Sequence, residues 1–269
     1  MEKILFVGAG SMAEAIIAGI VKQEILPGKQ VYVMNRSDSD RLCHLESRYG
    51  ITKVCEDRSF MKEIDLVVLA TKPKDIQQVM RDIHPFLTEN TAILSVIAGT
   101  SIDTFEKGLG KRPIARSMPN TSATIGKSAS GIAFNEEVPS EMQQSILNLL
   151  GSIGIVKVVK EDELHTVTAL SGSGPAYIYY LVEALEEAAV AQGLQAPVAR
   201  ELIMQTLEGA ASMLKITGEE PSTLRTNVTS PGGTTAAGLE ALESHNFKSV
   251  IADCIKSAEA RSRELGVLS

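Results

Sequence analysis

Four apolar residues, Ile4–Val7, run directly into Gly8-Ala9-Gly10-Ser11-Met12-Ala13, and a helical pattern over Met12–Lys22 follows at once. This segment constrains the fold more than any other, because a strand that turns through glycines into a helix gives each small residue a separate steric task. Gly8 permits the tight turn, Gly10 lets a ligand approach the backbone, and Ala13 lets the helix pack close to the strand. The unpaired N–H groups at the start of that helix are placed to receive negative charge, so the pattern predicts the pyrophosphate of a dinucleotide. Gly8, Ala9, Gly10, Ser11 and Met12 are candidate cofactor-binding residues. A glycine pattern of this kind is weak alone and gains weight from its place in a strand–turn–helix–strand unit.

The pattern continues as such units do. Short apolar, largely β-branched runs at Val31–Met34, Leu66–Ala70, Ala92–Val96, Ile114–Met118, Ser130–Phe134 and Gly154–Val159 read as strands. Helical periodicity lies between several of them, at Ser39–Tyr49 and Asp75–Ile83. The alternation predicts an α/β fold, a Rossmann-like doubly wound and mostly parallel sheet covered on both faces. From Glu161 onward Ala, Leu and Glu dominate, with helical stretches at Leu164–Leu170, Ala176–Gln192, Pro197–Lys215 and Ser249–Leu265. Two segments interrupt them, Ser171-Gly172-Ser173-Gly174-Pro175 and Val228 to Thr235. We therefore expect a nucleotide-binding domain over residues 1–160 and a C-terminal all-helical dimerisation domain over 161–269. The broad apolar content of Ala184–Ala191 and Leu202–Leu214 exceeds one buried face, which predicts that the helices pack against a second copy.

The ends of later strands refine the cofactor. Val31–Met34 ends in Asn35-Arg36-Ser37, where an NAD-specific chain would place a carboxylate for the ribose 2′-hydroxyl. A guanidinium flanked by amide and hydroxyl groups suits a 2′-phosphate, so NADPH is expected over NADH, although Asp38 opposes this. Ala70, Thr71, Lys72 and Pro73 follow another strand end and should border the nicotinamide ribose, with Pro73 as a stiff wall and Lys72 a weaker candidate proton donor. Ala98 and Gly99 offer small residues where the cofactor backbone would pass.

Composition excludes several classes. A net charge of −7 disfavours nucleic acid and anionic lipid. Cysteines 43, 55 and 254 have neither disulfide nor metal-ligand spacing, and no metal site is expected. No stretch approaches the roughly 18 to 20 apolar residues of a membrane span, and the apolar run near Met1 is too short for a signal segment, so a cytoplasmic location is expected.

The most specific segment is late: Asn227-Val228-Thr229-Ser230-Pro231-Gly232-Gly233-Thr234-Thr235-Ala236-Ala237-Gly238-Leu239. It resembles the signature of the pyrroline-5-carboxylate reductases. Ala70-Thr71-Lys72-Pro73, Met118-Pro119-Asn120-Thr121 and Ala169-Leu170-Ser171-Gly172-Ser173-Gly174-Pro175-Ala176-Tyr177 stand in that family's order, and the likeness spans the chain. The resemblance implies reduction of the cyclic imine carboxylate 1-pyrroline-5-carboxylate to L-proline by NADPH. It also implies a homodimer with interlocked helical domains, in some members assembled into rings. By position, Ser230, Pro231, Gly232, Gly233, Thr234 and Thr235 would bind substrate, with Thr235 nearest the ring nitrogen as the catalytic candidate and Asn120 a further contact. Read physically, a Gly-Gly turn before a helix can point amides at a carboxylate, or can serve only as a cap and turn. Two other readings stay open: another NADPH-dependent imine, hydroxyacid or deazaflavin-linked reductase, and a protein that senses NADPH without turnover. Against a hydroxyacid dehydrogenase, no lysine follows Leu164-His165-Thr166-Val167-Thr168-Ala169 before the Ser171–Pro175 break.

Overall fold

The computed structural model describes residues 1–54 and 58–267; Cys55 lies outside the described residues. Eight strands form one sheet: β1 (Ile4–Val7), β2 (Val31–Met34), β3 (Thr52–Lys53), β4 (Leu66–Leu69), β5 (Ala92–Ser95), β6 (Ile114–Met118), β7 (Ser128–Phe134) and β8 (Gly154–Val158). Their spatial order is β3-β2-β1-β4-β5-β6-β7-β8. Every pairing is parallel except β6 with β7. That exception follows from the connection. Only a short 3-10 turn, Thr121–Ile125, joins the two strands, too little chain for a parallel crossover.

The strands are apolar at consecutive positions because both faces are covered. Ile4, Phe6, Val31, Val33, Leu66 and Val68 enter one core, where they pack against α1 (Ser11–Lys22), α2 (Ser39–Tyr49) and α5 (Ser140–Gly151). Leu5, Val7, Val67, Leu69 and Ile93 enter the other, beneath α3 (Ile76–Ile83) and α4 (Ile102–Leu109). Alternation along each strand thus assigns neighbours to opposite cores. The doubly wound, mostly parallel sheet expected from the sequence is the one observed.

After β8 the chain is helical. Helix α6 (Leu164–Val167) widens into a π-helical turn, Thr168–Gly172, and then come α7 (Gly174–Ala191), α8 (Ala196–Thr217), α9 (Pro221–Asn227), α10 (Thr234–Ser244) and α11 (Phe247–Val267). The chain divides into two compact units. Unit 1 holds residues 1–175 and 257–269; unit 2 holds 176–256. Unit 2 is helical throughout, and of the residues in α7 to α10 only Ala199 is buried. No described helix is long and apolar enough to cross a membrane.

Candidate functional site

The strand order reverses direction at β1, with β2 on one side and β4 on the other. In an open parallel sheet the carboxyl ends of the strands at such a point leave a crevice, because the helices that follow depart to opposite faces. Here that crevice is a cavity of about 1420 Å³. Its walls include Gly8, Ala9, Gly10 and Ser11 from the first turn, Asn35, Arg36 and Ser37 after β2, and Ala70, Thr71 and Lys72 after β4. Three chain segments separated by tens of residues therefore meet around one volume.

The local geometry of the first turn matches the steric argument. Gly8 has φ +107°, and an added Cβ would lie 2.5 Å from Ala70 O, so the end of β1 and the end of β4 touch only because position 8 has no side chain. Its N–H donates to Met34 O at 2.9 Å, which ties the turn to β2 as well. Gly10 stands at the N-cap of α1 with no side-chain cap, and a Cβ there would meet nothing within 4 Å. The start of α1 therefore has no side-chain acceptor from its cap residue, and the space beside Gly10 is open, an arrangement that can receive an anion.

Electrostatics close in around this turn. Glu14 lies in the first turn of α1 and lines the crevice, where a free carboxylate would repel phosphate. It is not free: Arg41 Nη2 donates to its carboxylate, and the Tyr49 hydroxyl donates at 3.0 Å. Burial raises the Glu14 pKa, but the hydrogen bonds from Arg41 and Tyr49 outweigh it, and the net displacement is below the ordinary carboxylate value. Arg41 also donates from Nε to Ala9 O at 2.8 Å and so stiffens the turn itself. Arg41 and Glu14 were not singled out from the sequence; the only signal was a cation in the first turn of α2.

The loop after β2 resolves the opposition posed by Asp38. Its carboxylate accepts from Arg41 N at 2.8 Å and caps α2, so it is spent on the helix. Arg36 is 84% exposed along its side chain, with Asp75 at 3.6 Å as a loose ion partner. Its guanidinium stands in the crevice wall and is held by little else.

Other sequence candidates are placed differently. Thr71 contributes to the crevice wall, and its Oγ1 is buried there without a hydrogen-bond partner. Pro73 opens a short 3-10 turn beside it, Met12 is in the first turn of α1, and neither lines the cavity. Ala98 is exposed beyond β5, whereas Gly99 takes φ +82°, and a Cβ added there would lie 3.6 Å from the backbone of Leu265 and Gly266. Ala98 and Gly99 do not line the cavity either. Asn120 lies outside it and is hydrogen-bonded within unit 1, its Nδ2 donating to Ser171 O at 2.9 Å. His165 pairs with the Ser262 hydroxyl at 2.9 Å between α6 and α11; burial, then Arg116 and Arg263, lower its pKa against the opposing pull of Asp162 and Glu259.

Ser230 to Thr235 lie in unit 2 at the start of α10. Gly232 takes φ +71°, and Gly233 is the N-cap with no side-chain cap. Gly233 N donates back to Ser230 O at 3.0 Å, which closes the turn and leaves the amides of Thr234 and Thr235 as the leading N–H groups of an eleven-residue helix. Thr234 and Thr235 are exposed.

Residues 161–265 match the model described as pyrroline-5-carboxylate reductase dimerisation, and residues 3–99 match that of NADP oxidoreductases dependent on coenzyme F420. Pyrroline-5-carboxylate reductase 2 of Bacillus subtilis is 42% identical over 266 residues, 98% of this chain and 95% of that protein. The chain belongs to the pyrroline-5-carboxylate reductase family. Among solved structures of this family, the Coxiella burnetii enzyme superposes with a TM-score of 0.92 at 36% identity, covering 98% of both chains. The Plasmodium falciparum pyrroline carboxylate reductase, solved with NADP bound, gives 0.86 at 28% identity over 98% of both chains.

Proposed function

We propose that the chain is an NADPH-dependent pyrroline-5-carboxylate reductase that reduces the C=N bond of 1-pyrroline-5-carboxylate to L-proline, the last step of proline biosynthesis. The observation that carries this is a dinucleotide crevice at the β1/β4 switch point in a chain that matches pyrroline-5-carboxylate reductases over 98% of its length. The residues present fit the cofactor. Gly10 and the uncapped start of α1 suit the pyrophosphate, Arg36 with Asn35 and Ser37 suits the 2′-phosphate, and the turn Ala70-Thr71-Lys72 suits the ribose at the nicotinamide end. When bound, the reduced nicotinamide supplies the hydride.

The protein's share of the chemistry is placement. A protonated imine carbon is already electrophilic, so no charged acid is required and the main tasks are orientation and exclusion of water. In this reading the amides of Thr234 and Thr235, with the turn Ser230-Pro231-Gly232-Gly233 behind them, hold the substrate carboxylate at the positive end of α10. The Thr235 hydroxyl, nearest the ring nitrogen in this reading, hydrogen-bonds it and relays a proton to it from water, taking up one proton as it passes on its own. We read residues 1–160 as the cofactor half and 161–269 as the helical half, although residues 161–175 and the end of α11 pack with the sheet unit; in this reading the enzyme works as a homodimer through its helical half, and its location is cytoplasmic. Light scattering of the purified protein reads whether the dimers assemble further into rings.

Steady-state turnover with pyrroline-5-carboxylate, with NADPH and NADH in parallel, tests the reading. The wild-type chain is expected to oxidise NADPH faster than NADH. Thr235→Ala should lose about tenfold or more in kcat/KM, the worth of one charge-assisted hydrogen bond. Arg36→Ala should raise the NADPH KM about tenfold and spare NADH. Binding of NADPH without turnover would instead make the chain a sensor.

A further inference from the structure

The crevice of unit 1 extends further than the glycine turn and the loop after β2. Beyond Asp75, the loose ion partner of Arg36, its wall continues along α3 through Gln78, Val79, Asp82 and Ile83, and Val54 and Arg58 complete this end. Positions 75, 78, 79, 82 and 83 follow the spacing of one helix face, so a single strip of α3 and its cap lines the extension. Val54, Val79 and Ile83 make that lining largely apolar. Its amide is engaged within the helix: Gln78 Nε2 donates to Asp82 Oδ1 at 2.7 Å, and Gln78 Oε1 accepts from Arg81 Nη2 at 2.8 Å. Such a wall suits the face of a flat ring better than its hydrogen-bonding edge.

Arg58 is held there by two contacts. Its Cζ lies over the ring of Phe86, 5.6 Å from the centroid, and its Nη1 donates to Asp82 O at 3.0 Å. Phe86 packs against the core beneath α3 and does not line the crevice, whereas Arg58 is half-buried and does line it. The aromatic ring thus backs the guanidinium from the core side, and the carbonyl fixes its tilt. A planar cation held in this way is a ready surface for a second flat group. The bonding of the cofactor brings such a group close: adenine is attached at C1′ of the ribose that carries the 2′-phosphate on the neighbouring carbon. A phosphate on Arg36 therefore puts the base within a single sugar ring's reach of Arg36 and Asp75, where the extension begins.

We propose that Arg58 is the stacking residue for the adenine of the cofactor: its guanidinium, backed by Phe86, lies against one face of the base, with Val79 and Ile83 of α3 beside it. This rests on the reading that the crevice binds NADPH. Adenine is common to NADPH and NADH, so Arg58 contributes to both equally, and Arg36 sets the choice between them.

The test is a fluorescence titration of the full-length protein with NADPH and with NADH. Arg58→Ala is expected to raise both Kd values by about fivefold or more and by the same factor, the worth of one stacked base. Arg58→Lys keeps the charge and a donor for Asp82 O but loses the plane, and it should weaken both cofactors nearly as much. The proposal is overturned if neither Kd moves, if only NADPH weakens, as a charge acting on the 2′-phosphate would require, or if Arg58→Lys binds both cofactors as the wild type does. Should Arg58→Ala not fold, as its melting temperature would show, Arg58→Lys carries the same expectations. A failure of the underlying reading looks different: the wild-type chain itself would then bind neither cofactor.

Discussion

In the sheet unit, residues of β1, β4 and β5 such as Ile4, Leu66 and Leu94 are wholly buried, and two cores close on the two faces within one chain. The helical unit is built from residues just as apolar, yet Leu202 is 57% and Ile216 82% exposed. The difference teaches how each half obtains its stability. A parallel sheet with helices on both faces satisfies itself, whereas long helices with apolar residues around most of their circumference need a further surface. Helix propensity alone leaves a fold marginal in water. The match of residues 161–265 to a dimerisation domain supplies the occupant, a second copy of the same helices.

The sharpest way to break the comparison is Gly8→Ala. The sheet unit closes only because position 8 lacks a Cβ, and the substitution drives a carbon to 2.5 Å from Ala70 O at a φ of +107°. Loss of about 3 kcal/mol or more is expected, seen as a large fall in melting temperature together with loss of NADPH binding in a fluorescence titration. An unaltered melting temperature would show that the unit tolerates what its geometry forbids.

Leu202→Glu addresses the other side. In a helix that needs a partner, a charge on the unpartnered face should cost about 2 to 3 kcal/mol of association. The expected outcome is a concentration-dependent melting temperature and a shift toward monomer in light scattering. A variant that stays dimeric and equally stable would mean that the exposed apolar face of α8 lies outside the contact.

The smallest effect concerns acid. Because the Glu14 carboxyl titrates below its ordinary value of 4.5 in the folded chain, the unfolded chain binds the proton first as pH falls. Stability from this group is complete above about pH 4.5 and is lost as pH drops through the folded value. Glu14→Gln should flatten that part of the pH–stability curve by about 1 kcal/mol or less, measured by urea unfolding at a series of pH values. An unchanged slope would remove the Glu14–Arg41–Tyr49 cluster from the account of the turn.

Much of the sheet unit was legible because its signals are local. Strand β1, the glycine turn and α1 are adjacent in sequence, and two-sided burial shows as uninterrupted apolar runs. The elements that were missed include α5, twelve residues over Ser140–Gly151, and two shorter ones. Strand β3 is two residues, Thr52–Lys53, and α4 is eight, announced only by Ser101 accepting from Thr104 N at 3.2 Å. Of the crevice, the glycine turn that lines it by backbone was readable, since glycine spacing reports backbone. Arg41 was not, because its partners Ala9 and Glu14 are 32 and 27 residues away, and nothing in the spacing says which side of α2 will face them. The same holds for Asn120, a plausible ligand contact in sequence whose amide is taken by Ser171, 51 residues on.

The sequence by itself determined the class of fold, the dinucleotide turn and the presence of a helical half with too much apolar surface, since each follows from steric and hydrophobic periodicity along a few neighbouring residues. Tertiary structure alone decided which charges are free and which are spent. Asp38 became a helix cap, Glu14 was neutralised by Arg41, and Arg36 kept an exposed guanidinium. Availability of a polar group depends on what the fold brings within about 3 Å of it, and that is a property of chain segments remote in sequence.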